Sequence, residues 1–491
     1  MKTFAQTHYK IVTIFLFVLT LTILSGGKAH AASITVNTDT NPSLCTLDEA
    51  ITNINDQTRT NTDCVETGGY GSEDTINIPG GTVLLTANLP QITGPATITG
   101  AGMGATTIDG DGGVYEVFRG GGADLSVKNL TISGFRNAAL QFTGLNVIKV
   151  SSVEIDGTSS QPSSSFAHGG LLTAAPTVTI DNTYVHGISA SGLSFSVYGI
   201  VLQATQGLTS NISISNTTIQ NISSQDTSVV GISLATGLID GSLTPGYINL
   251  DIQNTTISNL NGGNAGVMGI VSLPAVSSGN SEVNISALNN TISSLRGGSG
   301  GAFGSAHAVF LTGAALGAQD TTTSTFAGAN NILESSQFSC TSNYDAAPII
   351  GAGTSGGTVA NIFSSNGGNL SSDSTCNPYF TKPSDQNNLT NLALTLGPLS
   401  DNGGFIPTIP LLEGSPAIDS GVTMAGLTSD ARGVIRPQGT AYDSGAYESP
   451  YTKSVASLAS TGQNSTLFIV MAISMLTLAT GVVVFKKQHS I

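Results

Sequence analysis

Asp109 and Asp111 stand two apart in Ile-Asp-Gly-Asp-Gly-Gly, with Glu116 and Arg119 just behind them. On a strand, that spacing aims both carboxylates at one face. Such carboxylates could hold a calcium ion beside an arginine that draws a proton from an acidic sugar. Two carboxyls facing one cleft, about 5 to 10 Å apart, could instead hydrolyse a glycosidic bond. Asp-Gly repeats are also ordinary turn chemistry, and a solvated turn is the default reading. The acids of the middle region, Glu154, Asp156, Asp181, Asp226, Asp240, Asp251 and Glu282, are scattered, and basic residues are almost absent from 150 to 295. His168, His186 and His307 lack metal-ligand spacing and read as surface or loop residues. A phosphate-binding loop is missing. No catalytic residue, metal ligand or cofactor is assigned from these patterns.

The four cysteines are Cys45, Cys64, Cys340 and Cys376, and none belongs to a Cys-x-x-Cys pair. In an exported chain a sparse, even set usually means disulfides. Three pairings are open, and free buried thiols are a further alternative. The local pairs Cys45–Cys64 and Cys340–Cys376 are preferred, because each would tie a loop at one end of the body.

The elements that position these residues come from an uneven composition. Gly numbers 60, charged residues make up 9%, Trp is absent and hydrophobic residues reach 39%. Charge-poor, Gly-rich sequence excludes a long-helix or coiled-coil protein, and the recurring apolar residues argue against disorder. All 30 acids lie between Ser33 and Thr461, where only 10 of the 15 basic residues lie, so the body carries a formal charge of −20. That charge repels phosphate backbones and argues against nucleic-acid binding, although it could recruit Ca2+ weakly.

From about residue 96 to 340 one short phrase returns. It reads Asn129-Leu-Thr-Ile132, Ser152-Val-Glu-Ile155, Asn182-Thr-Tyr-Val185, Asn216-Thr-Thr-Ile219, Asn254-Thr-Thr-Ile257 and Asn290-Thr-Ile292. The closing apolar residues are 23, 30, 34, 38 and 35 positions apart. Apolar–polar alternation, as in Ile212-Ser-Ile214, marks half-buried strands. Propeller blades need a steadier period, whereas stacked coils tolerate drift by bulging loops at a corner. The sequence therefore predicts an all-β, right-handed, single-stranded parallel β-helix, with a β-sandwich as runner-up. Each coil presents its Ile or Val inward, and the repeated Asn residues stack as an amide ladder rather than serving as Asn-x-Ser/Thr glycosylation sites.

Both ends read as addresses. Lys2 and Lys10, an apolar run from Ile11 to Leu24 and Ala29-His-Ala31 form a signal-peptide pattern. Near the other end, residues 467–485 are nearly all apolar and are followed by Lys486 and Lys487. As a helix they would reach roughly 28 Å, enough to cross a bilayer with the lysines held in the cytoplasm. Leu458, Ala459, Ser460, Thr461 and Gly462 precede that run and resemble the Leu-Pro-x-Thr-Gly signal of sortase substrates, with Ala459 in place of proline. The resemblance implies cleavage between Thr461 and Gly462, with sortase and cell-wall peptidoglycan as partners. A plain membrane anchor is the alternative.

Three further stretches resemble known secreted families. Ile34-Thr-Val-Asn37 with Cys45-Thr-Leu-Asp-Glu-Ala-Ile51 is similar to the CSLREA domain, although Asp48 stands where Arg is usual. Ile98-Thr-Gly-Ala-Gly102 and Thr107-Ile-Asp-Gly110 resemble the first coils of pectin-lyase-like repeats. Gly414-Ser-Pro-Ala-Ile-Asp-Ser-Gly421, Asp430-Ala-Arg-Gly433 and Asp443-Ser-Gly-Ala-Tyr-Glu448 resemble the choice-of-anchor Q domain. In that last stretch Asp419 and Asp443 suit turns, and Arg432 and Arg436 could pair with nearby acids to lock an end cap.

The expected organisation is a signal peptide (1–31), an N-terminal cap with first coils (32–95) and β-helix repeats (96–340). C-terminal coils and a cap (341–449), a linker (450–461) and a membrane-spanning sorting tail (462–491) follow. These resemblances imply an exported, wall- or membrane-anchored rod on the cell surface. The favoured function is a non-catalytic adhesin for a glycan or protein. The alternatives are a wall-bound polysaccharide lyase or glycoside hydrolase, and a structural surface-layer protein.

Overall fold

From Asn182 to Ile292 the recurring phrase leads into the second of three strands in each tier of a parallel stack, whereas at Asn129 and Ser152 it lies inside one longer strand, Leu125–Ser133 or Val147–Asp156. One tier comprises Thr209–Ser215, Thr218–Ser224 and Val229–Thr236, and the next begins at Tyr247–Gln253. Every strand pairs in parallel with its counterpart one tier on, Ile212 opposite Leu250, Ile219 opposite Ile257 and Ile232 opposite Ile270. The first two strands of each tier belong to one long sheet and the third to another. The computed structural model describes residues 31–453 apart from 39–43, 145, 162–167, 192–195, 205–206, 237–242, 299–303 and 346–354, and only the backbone of 168 and 343–345. The expected signal peptide up to residue 30, Leu458 to Gly462 and the apolar run 467–485 lie outside the described residues. Among those residues, no helix is long and apolar enough to cross a membrane.

Register turns the phrase into a core. Ile132, Ile155, Val185, Ile219, Ile257, Ile292 and Leu333 form one column of successive partners. Each is at most 1% exposed. Burying such a side chain contributes about 1.5–3 kcal/mol, repeated at every tier. The second sheet supplies a facing column, Leu140, Leu171, Ile200, Ile232, Ile270 and Val309. Its glycines make room for the first: a Cβ on Gly199, Gly231 or Gly269 would lie 2.6–2.8 Å from the Cγ2 of Ile219, Ile257 or Ile292.

Asparagines turn the corner between the first two strands. Asn182, Asn216, Asn254, Asn289 and Asn330 adopt φ of 46–54°, a left-handed bend that Asn tolerates better than β-branched residues. Their side chains link tiers, Asn254 Nδ2 donating to Asn216 Oδ1 at 3.3 Å and Asn330 Nδ2 to Asn289 Oδ1 at 3.1 Å. A second, buried ladder runs one residue later, from Asn290 to Asn331 to Asn369, with each amide 2.9 Å from the next carbonyl oxygen. Asn290 thus belongs to this inner ladder, and Asn289 makes the bend.

Both ends are stapled. Cys45–Cys64 ties the helix Leu47–Asp56 to the first tiers, and Cys340–Cys376 ties the last ones. Thr46 and Glu49 form a capping box on that helix, which buries Leu47, Ala50, Ile51 and Ile54. Residues 374–390 fold over the final tier, where Phe380 is buried and Gln386 bonds to the backbone of Asn369 and Ser371. The segment 397–449 then runs back along the side of the stack as a strap with little regular structure. Its partners include Thr218, Asn254, Asn289, Asn330 and Gly368, one on each of five consecutive tiers. The Q-like stretch therefore lies along the flank, where the bend amides of Asn254, Asn289 and Asn330 donate to its backbone carbonyls.

Candidate functional site

Asp109 ends the strand Thr106–Asp109, and the chain turns immediately after it. Asp109 Oδ1 accepts the Asp111 N–H at 3.0 Å, and Asp111 bends at φ 59° into solvent. The two carboxylates therefore do not share a strand face. Glu116 and Arg119 instead pair with each other at 3.0 Å, in a polar groove of about 320 Å3 that also takes in Gln91, Asn137 and Gln141.

Among the described residues, Glu49, Asp63 and Cys64 place ligand atoms within 4.8 Å of one another. Cys64 is already disulfide-bonded and Glu49 caps a helix, so the trio fits a staple rather than an ion. His307 is buried, contrary to its reading as a surface or loop residue. Its ring stacks on Phe338, and Nδ1 lies 2.8 Å from Thr341 Oγ1. Tyr198 and Phe310 pack against the sheet's outer face with Val230 and Met268. Phe195 and Phe303 lie outside the described residues.

The stack assembles a different site. Ile155 and Val185 are register partners, which sets Glu154 beside Tyr184 and Asp156 beside His186. His186 Nε2 lies 3.1 Å from Glu154 Oε1, and Nδ1 lies 3.8 Å from Asp156 Oδ1. Thr131, one tier earlier, donates its hydroxyl to Glu154 Oε2 at 2.9 Å. The hydrogen bond from His186 pulls the Glu154 carboxyl below its ordinary range, against the opposing effect of burial. Tyr184 stacks on His186 with centroids 4.1 Å apart and accepts a hydrogen bond from Gln220 at its hydroxyl. Burial raises the Tyr184 phenol, keeping it neutral.

The strap closes this cluster into a groove of about 270 Å3, lined by Glu154 and Tyr184 from the stack and by Asp401, Phe405 and Ile406 from the strap. Thr218 Oγ1 donates to the Pro407 carbonyl at 2.7 Å, and Tyr184 packs against the cluster containing Ile406. Phe405 is 68% exposed at the rim, unusual for so large an apolar side chain. Its turn needs Gly404, at φ 94°, where a Cβ would lie 2.9 Å from Arg432 Cα.

Arg432 holds the tip of that turn. It donates to Asn402 O at 3.3 Å, pairs with Asp430 at 2.6 Å and places its guanidinium 3.6 Å from the Tyr447 ring centre. Arg436 is wholly buried and pairs with Glu448 at 2.8 Å, while also donating to the carbonyls of Asp443 and Gly445. Burial pulls the Arg436 guanidinium down, and the charges of Glu448, Asp430 and Asp443 pull it back up. Asp443 accepts the N–H groups of Asp419 and Ser449, at 2.8 and 2.6 Å, and burial pushes its carboxyl up to about 6. Asp419 in turn accepts the Ala441 N–H at 2.8 Å.

No family model matches this chain, and no curated protein or solved structure is similar to it. The groove must be read from its own groups. Sequence reasoning passed over Glu154 and His186 as isolated, although aligning the phrases on Ile155 and Val185 would have set them side by side. Asp401 and Phe405 carried no periodic signal.

Proposed function

We propose that the chain is a right-handed, single-stranded parallel β-helix of the pectin-lyase-like kind, displayed outside a cell as a non-catalytic rod that binds a glycan or a protein. Tier-by-tier parallel register and the inward Ile and Val column support the fold. The observation that carries the binding role is the groove joining two carboxylates, a half-buried tyrosine and an exposed phenylalanine where the strap meets the stack. Concave sites with a few placed polar groups beside aromatic rings suit a hydroxyl-rich ligand.

Residues 1–31 export this rod, and 458–462 hand it to a sortase that joins Thr461 to peptidoglycan. The apolar run 467–485 spans the membrane until then. Thr461→Ala is expected to move the protein from covalently wall-linked to detergent-extractable, read by cell fractionation. Unchanged linkage removes the sortase step.

For binding, a glycan array probed with residues 33–449 is expected to give a reproducible ligand that is not shortened. Shortened chains would favour the second reading, a glycoside hydrolase, because Glu154 and Asp401 line the same groove.

A further inference from the structure

The groove's lining is acidic: it contains Glu154 and Asp401 and no lysine or arginine, and of these two carboxylates His186 partners Glu154 alone. Glu154 is held ionised by His186, with Asp156 behind the same imidazole. Asp401 is exposed in its turn, and its Oδ1 accepts the Gly403 N–H at 2.9 Å. An acidic sugar entering here would meet like charge, which disfavours binding.

Two aromatic rings flank these carboxylates. The Phe405 side chain stands largely in solvent at the rim, and the Tyr184 ring is fixed within the groove by His186 on one face and Gln220 at its hydroxyl. Aromatic faces attract cations, and they also pack against the C–H face of a pyranose. Carboxylate and ring together select a group that is both cationic and ring-shaped.

We propose that this groove binds a glycan bearing free, protonated amines, such as a glucosamine oligomer, with the ammonium held by Asp401 in the field of Glu154 and a sugar ring against Phe405. This rests on the binding role proposed above and names its ligand class. A basic peptide would satisfy the charge, but the broad exposed face of Phe405 and the wide, shallow opening favour a ring over a flexible lysine stem. The volume, about 270 Å3, accommodates about one or two pyranose rings.

A second groove supplies an internal control. The cleft of Gln91, Glu116, Arg119, Asn137 and Gln141 has a guanidinium paired with Glu116 and three carboxamides, so it repels a carboxylate-bearing sugar less than the acidic groove does. The two grooves therefore differ in net charge, and their ligand preferences are separable by substitution.

The test is calorimetric titration of the full chain near pH 6 with four probes: a glucosamine tetramer, its N-acetylated counterpart, an oligogalacturonate and a lysine tetrapeptide. The glucosamine tetramer is expected to bind at least about tenfold more tightly than the other three, a gap of about 1.4 kcal/mol. Asp401→Asn and Phe405→Ala are each expected to weaken it about tenfold, a loss in the range of a removed ion or cation–π contact. Both side chains are exposed, so neither change endangers folding, and Arg119→Gln is expected to leave glucosamine binding unchanged. Equal affinity for the acetylated tetramer overturns the ammonium contact. Full affinity in both groove variants overturns the location, and preference for the lysine peptide overturns the ligand class. A uronate preference lost on Arg119→Gln assigns binding to the other groove and leaves the broader adhesive role standing. Absence of saccharide binding on both titration and array overturns this inference and the glycan form of the adhesive role.

Discussion

The stack and the strap achieve order by different physics. Each tier of the stack repeats one solution, an aliphatic pair inside, a backbone ladder and an asparagine bend, so every tier is supported by identical neighbours. The strap has almost no ladder. It is fixed by buried charge, with Arg436 on Glu448 and Asp430 bracing Arg432, and by carboxylates that accept backbone N–H groups. Redundancy lets the stack drift in loop length without losing register, whereas each buried charged group in the strap depends on its own particular partners. Damage should therefore stay local in the first region and spread in the second.

Removing Arg436 tests that contrast most severely. Arg436→Ala leaves Glu448 buried without its partner, which costs about 3–5 kcal/mol. Hydrogen exchange is expected to accelerate across 397–449 while the strands around Ile219 and Ile257 stay protected. Uniform loss in both regions would show that the strap and the stack unfold as one unit.

Acidity acts next. The raised carboxyl of Asp443 means that the folded strap holds that proton more tightly than the unfolded chain does. Its contribution is greatest near pH 4 and falls by roughly 3 kcal/mol as pH rises through about 6. Exchange of the Ser449 amide, corrected for intrinsic rate, is expected to speed up across that window. Glu154 has the opposite sign: its depressed carboxyl stabilises above the ordinary carboxylate range, and that contribution is lost on acidification.

The smallest change separates two rows within the stack. Asn331 bonds on both sides of the buried ladder, so Asn331→Ala leaves neighbouring amides unsatisfied at a cost of about 1–3 kcal/mol. Asn249 occupies an exposed row between Asn211 and Asn284, and Asn249→Ala is expected to cost within about 0.5 kcal/mol. Urea unfolding of the two variants checks the difference.

These contrasts also explain what the amino-acid sequence made legible. Ile132 through Ile292 could be aligned because an inward position must be filled by the same kind of side chain at every tier. The bend asparagines followed from the same repetition, and both local disulfides formed as preferred. The helix Leu47–Asp56 went unremarked although it was legible, since Leu47, Ala50, Ile51 and Ile54 follow helical spacing behind the Thr46–Glu49 capping box. Arg432 and Arg436 were recognisable as partners for acids, but the path of the strap was not. Its contacts join Pro407 to Thr218 and Asp443 to Asn289, and no local pattern encodes pairings over such separations. The groove inherits both difficulties, since half of it belongs to the repeats and half to the strap.

Bonds from one segment to five successive tiers also have a mechanical consequence. Tension entering through Ser449 meets attachments on five tiers, which the chain reaches in the crossed order Gly368, Asn289, Asn254, Asn330 and Thr218. A spiral chain pulled from its last turn would peel one layer at a time; a chain laced along its flank must yield at several layers together, and so resists stretching far better than its separate layers would.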